Sequence, residues 1–184
     1  MAHFELQADE SELQQLAGLY WQNTSEKEKQ LEAAAFEAGA AIRNGDYSLA
    51  NLEAIVRWKS DLMVQYLIGN SEAEIRRVLA IAAAPHTPVR QAAEALTELR
   101  GIDLNLASAV LAAIDPERYN VLDCRALEAL GHESHSADFY AEYVAFCRRL
   151  VERGLIHAQP ETPGPTALHA LDRALWQWSE TSCE

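Results

Sequence analysis

A chain of 184 residues, 49% of them hydrophobic, can build one sizeable core, and a single domain is the default at this length. The formal net charge of −13 excludes nucleic-acid binding driven by bulk positive charge, so any such contact must rest on a local basic face. Three scattered cysteines (Cys124, Cys147, Cys183) with no CxxC pair argue against a structural zinc or an iron–sulfur cluster and suit a reducing compartment.

The charge is uneven along the chain. Residues 1–54 carry 10 acids against 3 bases, residues 55–130 carry 10 against 8, and residues 131–184 carry 8 against 4. A nearly neutral middle lies between two acidic flanks. The opening MAHFELQADE has neither a basic nor an apolar leader-like stretch, and no apolar run reaches the roughly 18 residues of a membrane span. A cytoplasmic location without membrane contact is expected.

Helical periodicity runs through almost the whole chain and strand signals are nearly absent. Leu13, Leu16, Ala17 and Tyr20 form a first apolar stripe, and Leu31, Ala35, Ala38 and Ile42 a second, ended by the turn Asn44-Gly45-Asp46. Leu49, Leu52 and Val56 begin a third helix. Leu62, Met63, Tyr66 and Leu67 mark a fourth, and Ile75, Val78, Leu79 and Ala82 a fifth. Pro85 breaks the chain, with Thr87 as N-cap and Pro88 at the first position of the next helix. That helix carries Val89, Ala92, Ala93 and Leu96, and another follows with Ala107, Val110, Leu111 and Ile114. Leu127 and Leu130 mark a short helix closed by Gly131, and Tyr140, Tyr143, Val144, Cys147 and Val151 a longer one. After the irregular link QPETPGP at 159–165, Leu168, Leu171, Leu175 and Trp178 close the chain. About ten helices with short links predict an all-α, compact multi-helix bundle. Its organisation reads as one domain over 1–184: acidic N-terminal helices at 1–48, a core at 49–158, and a C-terminal docking helix at 166–179.

Residues 96–131 are the most informative. They read as a helix, a tight turn at Leu99-Arg100-Gly101-Ile102-Asp103, a second helix, a loop, and Asp123 opening a third helix. Gly101 suits a positive φ at the helix end, and Asp103 suits a cap on the next helix. The loop between is Asp115-Pro116-Glu117-Arg118-Tyr119-Asn120, and Val121-Leu122-Asp123 follows it.

This stretch resembles the helix–hairpin–helix, Gly/Pro-rich loop and aspartate signature of base-excision DNA glycosylases. Leu99, Gly101, Ile102 and Ala107 fall on the hairpin's pattern, and Asp123 falls at the family's aspartate with no gap. The resemblance implies a DNA glycosylase-type helical bundle acting on DNA. Its hairpin residues Arg100, Gly101, Ile102, Asp103 and Asn105 would meet the phosphate backbone, which backbone N–H groups can hold without reading bases. Asp123 would be the catalytic carboxylate, stabilising the oxocarbenium-like charge as an N-glycosidic bond breaks and orienting the attacking water. Arg57, Lys59, Arg100 and Arg125 would line the cleft. No cofactor is implied.

The departures are specific. The second hairpin glycine is Asp103, the usual proline is Arg100, and the position of the Schiff-base lysine in lyase-type members is Asn105. Strand cleavage through a lysine imine is therefore not implied, and a monofunctional, base-releasing hydrolase remains. The alternative is a non-catalytic interaction module, for protein or nucleic acid, that kept the fold. Among other residues, Trp58 reads as core or as a stacking platform, and Arg76-Arg77 and Arg148-Arg149 as solvated pairs. His132-Glu133-Ser134-His135 lacks the HExxH form, and no metal is expected. A protein partner or a homo-oligomer is compatible with the sequence.

Overall fold

Helix starts are written in side chains. Ser25 and Ser71 each accept from the backbone N–H three residues on, and Glu28 and Glu74 reach back to complete reciprocal capping boxes. Asp103, Asp123 and Ser136 cap their helices in the same way, without the returning glutamate. The computed structural model describes residues 3–131 and 136–182, and these hold helices and no strand.

After a short 3-10 turn at Glu10–Glu12 the order is α1 (Leu13–Asn23), α2 (Glu26–Arg43), α3 (Leu49–Lys59), a 3-10 segment (Asp61–Gly69), α4 (Glu72–Ala83), α5 (Val89–Thr97), α6 (Leu104–Ile114), α7 (Cys124–Glu128), α8 (Ala137–Glu152) and α9 (Ala167–Ser182). Among the described residues, no helix is long and apolar enough to cross a membrane.

The axis of the bundle is α6. Every residue from Leu106 to Ile114 is buried, and α2, α3, α4 and α5 pack around it. An all-round apolar helix of this kind belongs in a core. On the far side, α9 lies against α1, α7 and α8. The backbones of α2 and α6 meet at Gly39, where a Cβ would overlap the carbonyl of Ala113. The loop 115–120 is stapled by arginines: Arg118 donates to the carbonyls of Ala84 and Thr87, and Arg148 donates to the carbonyl of Arg118. Arg148 is thus a structural donor, not a solvated cation as its exposed-pair pattern suggested.

Two expectations are corrected. The stripe Leu62, Met63, Tyr66, Leu67 is not an α-helix but a run of 3-10 turns, and only Leu67 of it is buried. Met63 and Val64 are only half-buried against the core while Leu62, Tyr66 and Ile68 stay exposed, so the segment gains little from an α-helical apolar face. The helix expected to open at Thr87-Pro88 begins at Val89, with Pro88 itself in the cap position.

The close α2–α6 approach yields a direct expectation. Gly39→Ala should lower unfolding free energy by about 1–3 kcal/mol, as overpacking does in a tight core. A denaturant titration with an unchanged midpoint would refute that packing.

Candidate functional site

The site is built on the extended segment that precedes Asp123. This segment is buried at Tyr119, Asn120, Val121 and Leu122, yet lies in no helix, so its polar backbone groups need other partners. Ser108 of α6 supplies one: its hydroxyl accepts from the Leu122 N–H at 2.8 Å and donates to the Asn105 carbonyl at 2.6 Å. From α8, the Tyr143 hydroxyl donates to the Val121 carbonyl at 2.8 Å and the Tyr140 hydroxyl to the Asn120 carbonyl at 3.0 Å. Burial holds both phenols well above their ordinary pKa, with nearby Tyr119 and Cys147 adding to the effect, so they stay protonated and donate.

Asp123 follows directly and is half-buried. One carboxylate oxygen accepts from the Ala126 N–H at 2.8 Å. That bond fixes the side chain and leaves the second oxygen for the cleft.

The hairpin is held from outside. The amide of Asn70 brackets the turn, accepting from the Arg100 N–H at 2.8 Å and donating to the Arg100 carbonyl at 3.0 Å. Gly101 sits at φ +83°, and a Cβ there would come 2.7 Å from the Cβ of Tyr66. Glycine is required at this position on both counts. Asp103 accepts from the Leu106 N–H at 2.9 Å and so caps α6. Next to the turn, Leu62, Tyr66 and Ile68 expose 77%, 56% and 76% of their surfaces, an unusual display of apolar side chains on one short segment.

Hairpin and aspartate open into one cleft of about 360 Å³. Lys59, Ser60 and Met63 form one side, Asp103, Asn105 and Leu106 a second, Val121 to Arg125 the floor, and Trp176 of α9 the last wall. Lys59 lies 4.2 Å over the Trp58 ring, while Arg125 stacks 4.8 Å over Trp176 and pairs with Glu180 at 2.5 Å. The Oδ1 of Asn105 is buried and has no partner among the described residues.

Of the residues singled out from the sequence, Lys59, Asp103, Asn105, Asp123 and Arg125 line this cleft. Arg57 does not: it points toward Asp61, with which it pairs at 3.2 Å. Nor does Arg100, whose guanidinium lies against Gly69, nor Gly101, which sits beneath Tyr66, nor Ile102, which is buried in the core. Trp58 is half-buried against Phe36 and His169. The pair Arg76 and Arg77 meets Glu72 and Glu98. His132 and His135 lie outside the described residues, among which no His/Cys/Asp/Glu group could hold a metal. Trp176, Met63 and Ser60 were not among the site residues expected from the sequence, because helical periodicity cannot separate a cleft wall from a core face.

A buried polar network lies behind the cleft, between α2 and α9. Glu32 Oε1 accepts from Arg173 at 2.5 Å and His169 Nε2 at 2.8 Å, and Arg173 also donates to Gln159, Thr162 and the Pro163 carbonyl. Burial pushes the Glu32 carboxyl up, but the hydrogen bonds and charges of His169 and Arg173 outweigh it and hold it at about 2. His169 is lowered to about 4 by burial and by the charge of Arg173, so it is neutral near pH 7. Asp172 Oδ2 lies 3.6 Å from His169 Nδ1. Burial raises Asp172 to about 8; Asp123 and Glu32 push the same way, against Lys59 and Arg173. A protonated acid thus stands between this network and the cleft.

No family model, curated protein or solved structure matches the chain.

Two expectations follow. Between its unfolded value near 3.8 and its folded value of about 8, folded Asp172 keeps a proton the unfolded chain has lost, so this residue costs stability as pH rises. Asp172→Asn should therefore gain melting temperature relative to wild type progressively from pH 5 to pH 8. A difference that is flat across that range would contradict the burial described. Asn70→Ala should cost about 1–3 kcal/mol by freeing two backbone groups of the hairpin, with amide exchange quickening at Arg100 before the rest of the core.

Proposed function

We propose that the chain is a divergent helix–hairpin–helix DNA glycosylase that releases a damaged or modified base by hydrolysis, with Asp123 as its carboxylate. The observation that carries the reading is a shared opening: Asp123 and the hairpin residues Asp103 and Asn105 line one cleft. A glycosylase draws its nucleotide out of the stack, so the reacting sugar must meet a carboxylate while neighbouring phosphates rest on a rigid turn.

The rest of the site suits that use. In the first turn of α6 the Leu106 N–H is taken by the Asp103 carboxylate, and Asp103 and Asn105 at that end of the helix line the cleft. Lys59 and Arg125 supply positive charge where the chain as a whole is negative. Leu62, Tyr66 and Ile68 can enter the gap that an extruded base leaves, as apolar wedges do. The carboxylate stabilises positive charge growing on the sugar and orients the attacking water.

A second reading, a non-catalytic interaction module with the same fold, is favoured by Asp103. Its carboxylate stands on the turn where a phosphate would dock, although its bond to Leu106 N–H absorbs part of that charge.

A panel of duplex oligonucleotides, each with one damaged or modified base, separates the two. The enzyme reading expects base release from at least one lesion, lowered about 10²–10⁴-fold in Asp123→Asn. Release that survives this substitution, or its absence across the panel, favours the module. Duplex affinity should also fall with rising salt, and less steeply in Lys59→Gln or Arg125→Gln if these cations meet phosphates.

A further inference from the structure

A second cavity, of about 440 Å³, opens between α1, α2, α3 and α9. Lys59 and Trp176 line both this cavity and the Asp123 cleft, so the two openings share a wall. The buried Glu32 and Gln177 lie on its inner side, and the exposed Glu28 and Glu180 at its rim. We propose that this second cavity binds a small organic cation of the guanidinium type, held by Glu32, Glu180 and Gln177 against Trp176. The inference does not rest on the glycosylase reading.

Charge selects the sign of the ligand. Three carboxylates, Glu28, Glu32 and Glu180, line the cavity against one ammonium, Lys59. Each carboxylate is fixed through a single oxygen. Glu28 Oε2 accepts from Ser25, Glu32 Oε1 accepts from His169 and Arg173, and Glu180 Oε2 pairs with Arg125. None of these bonds uses the second oxygen, so each group keeps capacity to accept from a ligand. Gln177 is an independent sign of a missing partner. It is only 3% exposed, it lines the same cavity, and its Oε1 is buried without a hydrogen bond among the described residues. Buried amide oxygens are rarely left unpaired, and an N–H donor in the cavity satisfies this one. A metal ion fits less well, because no His/Cys/Asp/Glu group among the described residues could hold one.

The chain's own side chains show what these surfaces hold. Arg125 stacks 4.8 Å over Trp176 while it pairs with Glu180 at 2.5 Å. Arg173 lies 5.1 Å over Trp21 while it pairs with Glu32 at 2.5 Å. In both cases one guanidinium takes an indole face and a carboxylate together, which uses its planar fork and its delocalised charge at once. The cavity is lined by Trp176, Glu180 and Glu32 but by neither arginine, so it meets these same groups from another side. Tyr20 meets Trp176 edge-on at 5.3 Å and steadies that wall.

The test is a matched pair of ligands on the full chain: phenylguanidinium and its neutral isostere phenylurea, titrated at constant ionic strength and followed by backbone amide NMR. Phenylguanidinium should give saturable shifts at Asn23, Thr24, Trp176 and Gln177. Phenylurea should bind roughly tenfold or more weakly, because charge-assisted hydrogen bonds are the stronger ones. Gln177→Leu puts an apolar side chain in place of the unpaired amide and should weaken phenylguanidinium about threefold or more. Thermal melting checks that this variant is folded, and the comparison of the two ligands needs no variant. The proposal is overturned by any of four results: no saturable shift at millimolar ligand, equal binding of the two ligands, shifts confined to Asp103 to Asn105 in the Asp123 cleft, or unchanged affinity in folded Gln177→Leu. Base release plays no part in the readout, so this site and the glycosylase reading can each fail without the other.

Discussion

Three hydroxyl groups decide where the chain's central aspartate points. Ser108, Tyr140 and Tyr143 satisfy the backbone of the buried, non-helical segment before Asp123. Without them that stretch would leave carbonyls and an N–H unpaired in the core, a cost of about 1–3 kcal/mol for each group. Because Ser108 also bonds to the Asn105 carbonyl, one side chain ties the aspartate-bearing segment to the first turn of α6. Hairpin and carboxylate are thereby a single rigid unit, and the distance between turn and acid is fixed by the core rather than by a flexible loop. Precise placement of this kind is what a reacting group requires.

The second constraint is charge. A protein with net charge −13 gathers Lys59 and Arg125 in the cleft and stores an uncharged acid, Asp172, behind it. Were Asp172 ionised, it would join Glu32 and Asp123 as a third carboxylate pressing on the same region. Keeping it protonated, at a cost to stability near neutral pH, leaves Asp123 as the negative group facing the opening beside the capped Asp103. The buried Glu32–Arg173 pair has a different role: it clamps α2 to α9, whose Trp176 walls the cleft. Pairs of this depth are poor sources of net stability but are expensive to break on one side.

Much of this was legible in the sequence, because local rules and tertiary structure agree. Gly101 needs positive φ, Asp103 and Asp123 sit at helix caps, and the alanine-rich stretch from 106 to 114 can only be core. The 3-10 segment departs from its helical spacing because, of Leu62, Met63, Tyr66 and Leu67, only Leu67 is fully buried, Met63 is half-buried against the core, and Leu62 and Tyr66 stay exposed. The spacing follows the sequence, but the absence of a surface to pack against does not. Arg57 and Lys59 looked equivalent on α3, yet two positions turn a side chain by about 200° around a helix. Arg57 therefore meets Asp61 and Lys59 the cleft. Trp176 and the Glu32–His169–Arg173 network join residues more than a hundred positions apart, and no local pattern announces them.

In the proposed reading, the hairpin residues Asp103 and Asn105 and the acid Asp123 form one face for a DNA sugar and its phosphates. Backbone amide NMR during titration with a duplex carrying a tetrahydrofuran abasic analogue tests it most directly. The expected result is shifts concentrated at Asp103 to Asn105, Ser60 and Asp123 to Arg125, fading as salt rises. Unmoved amides there, or shifts gathered around Gly45 at the opposite end of α2, would contradict it.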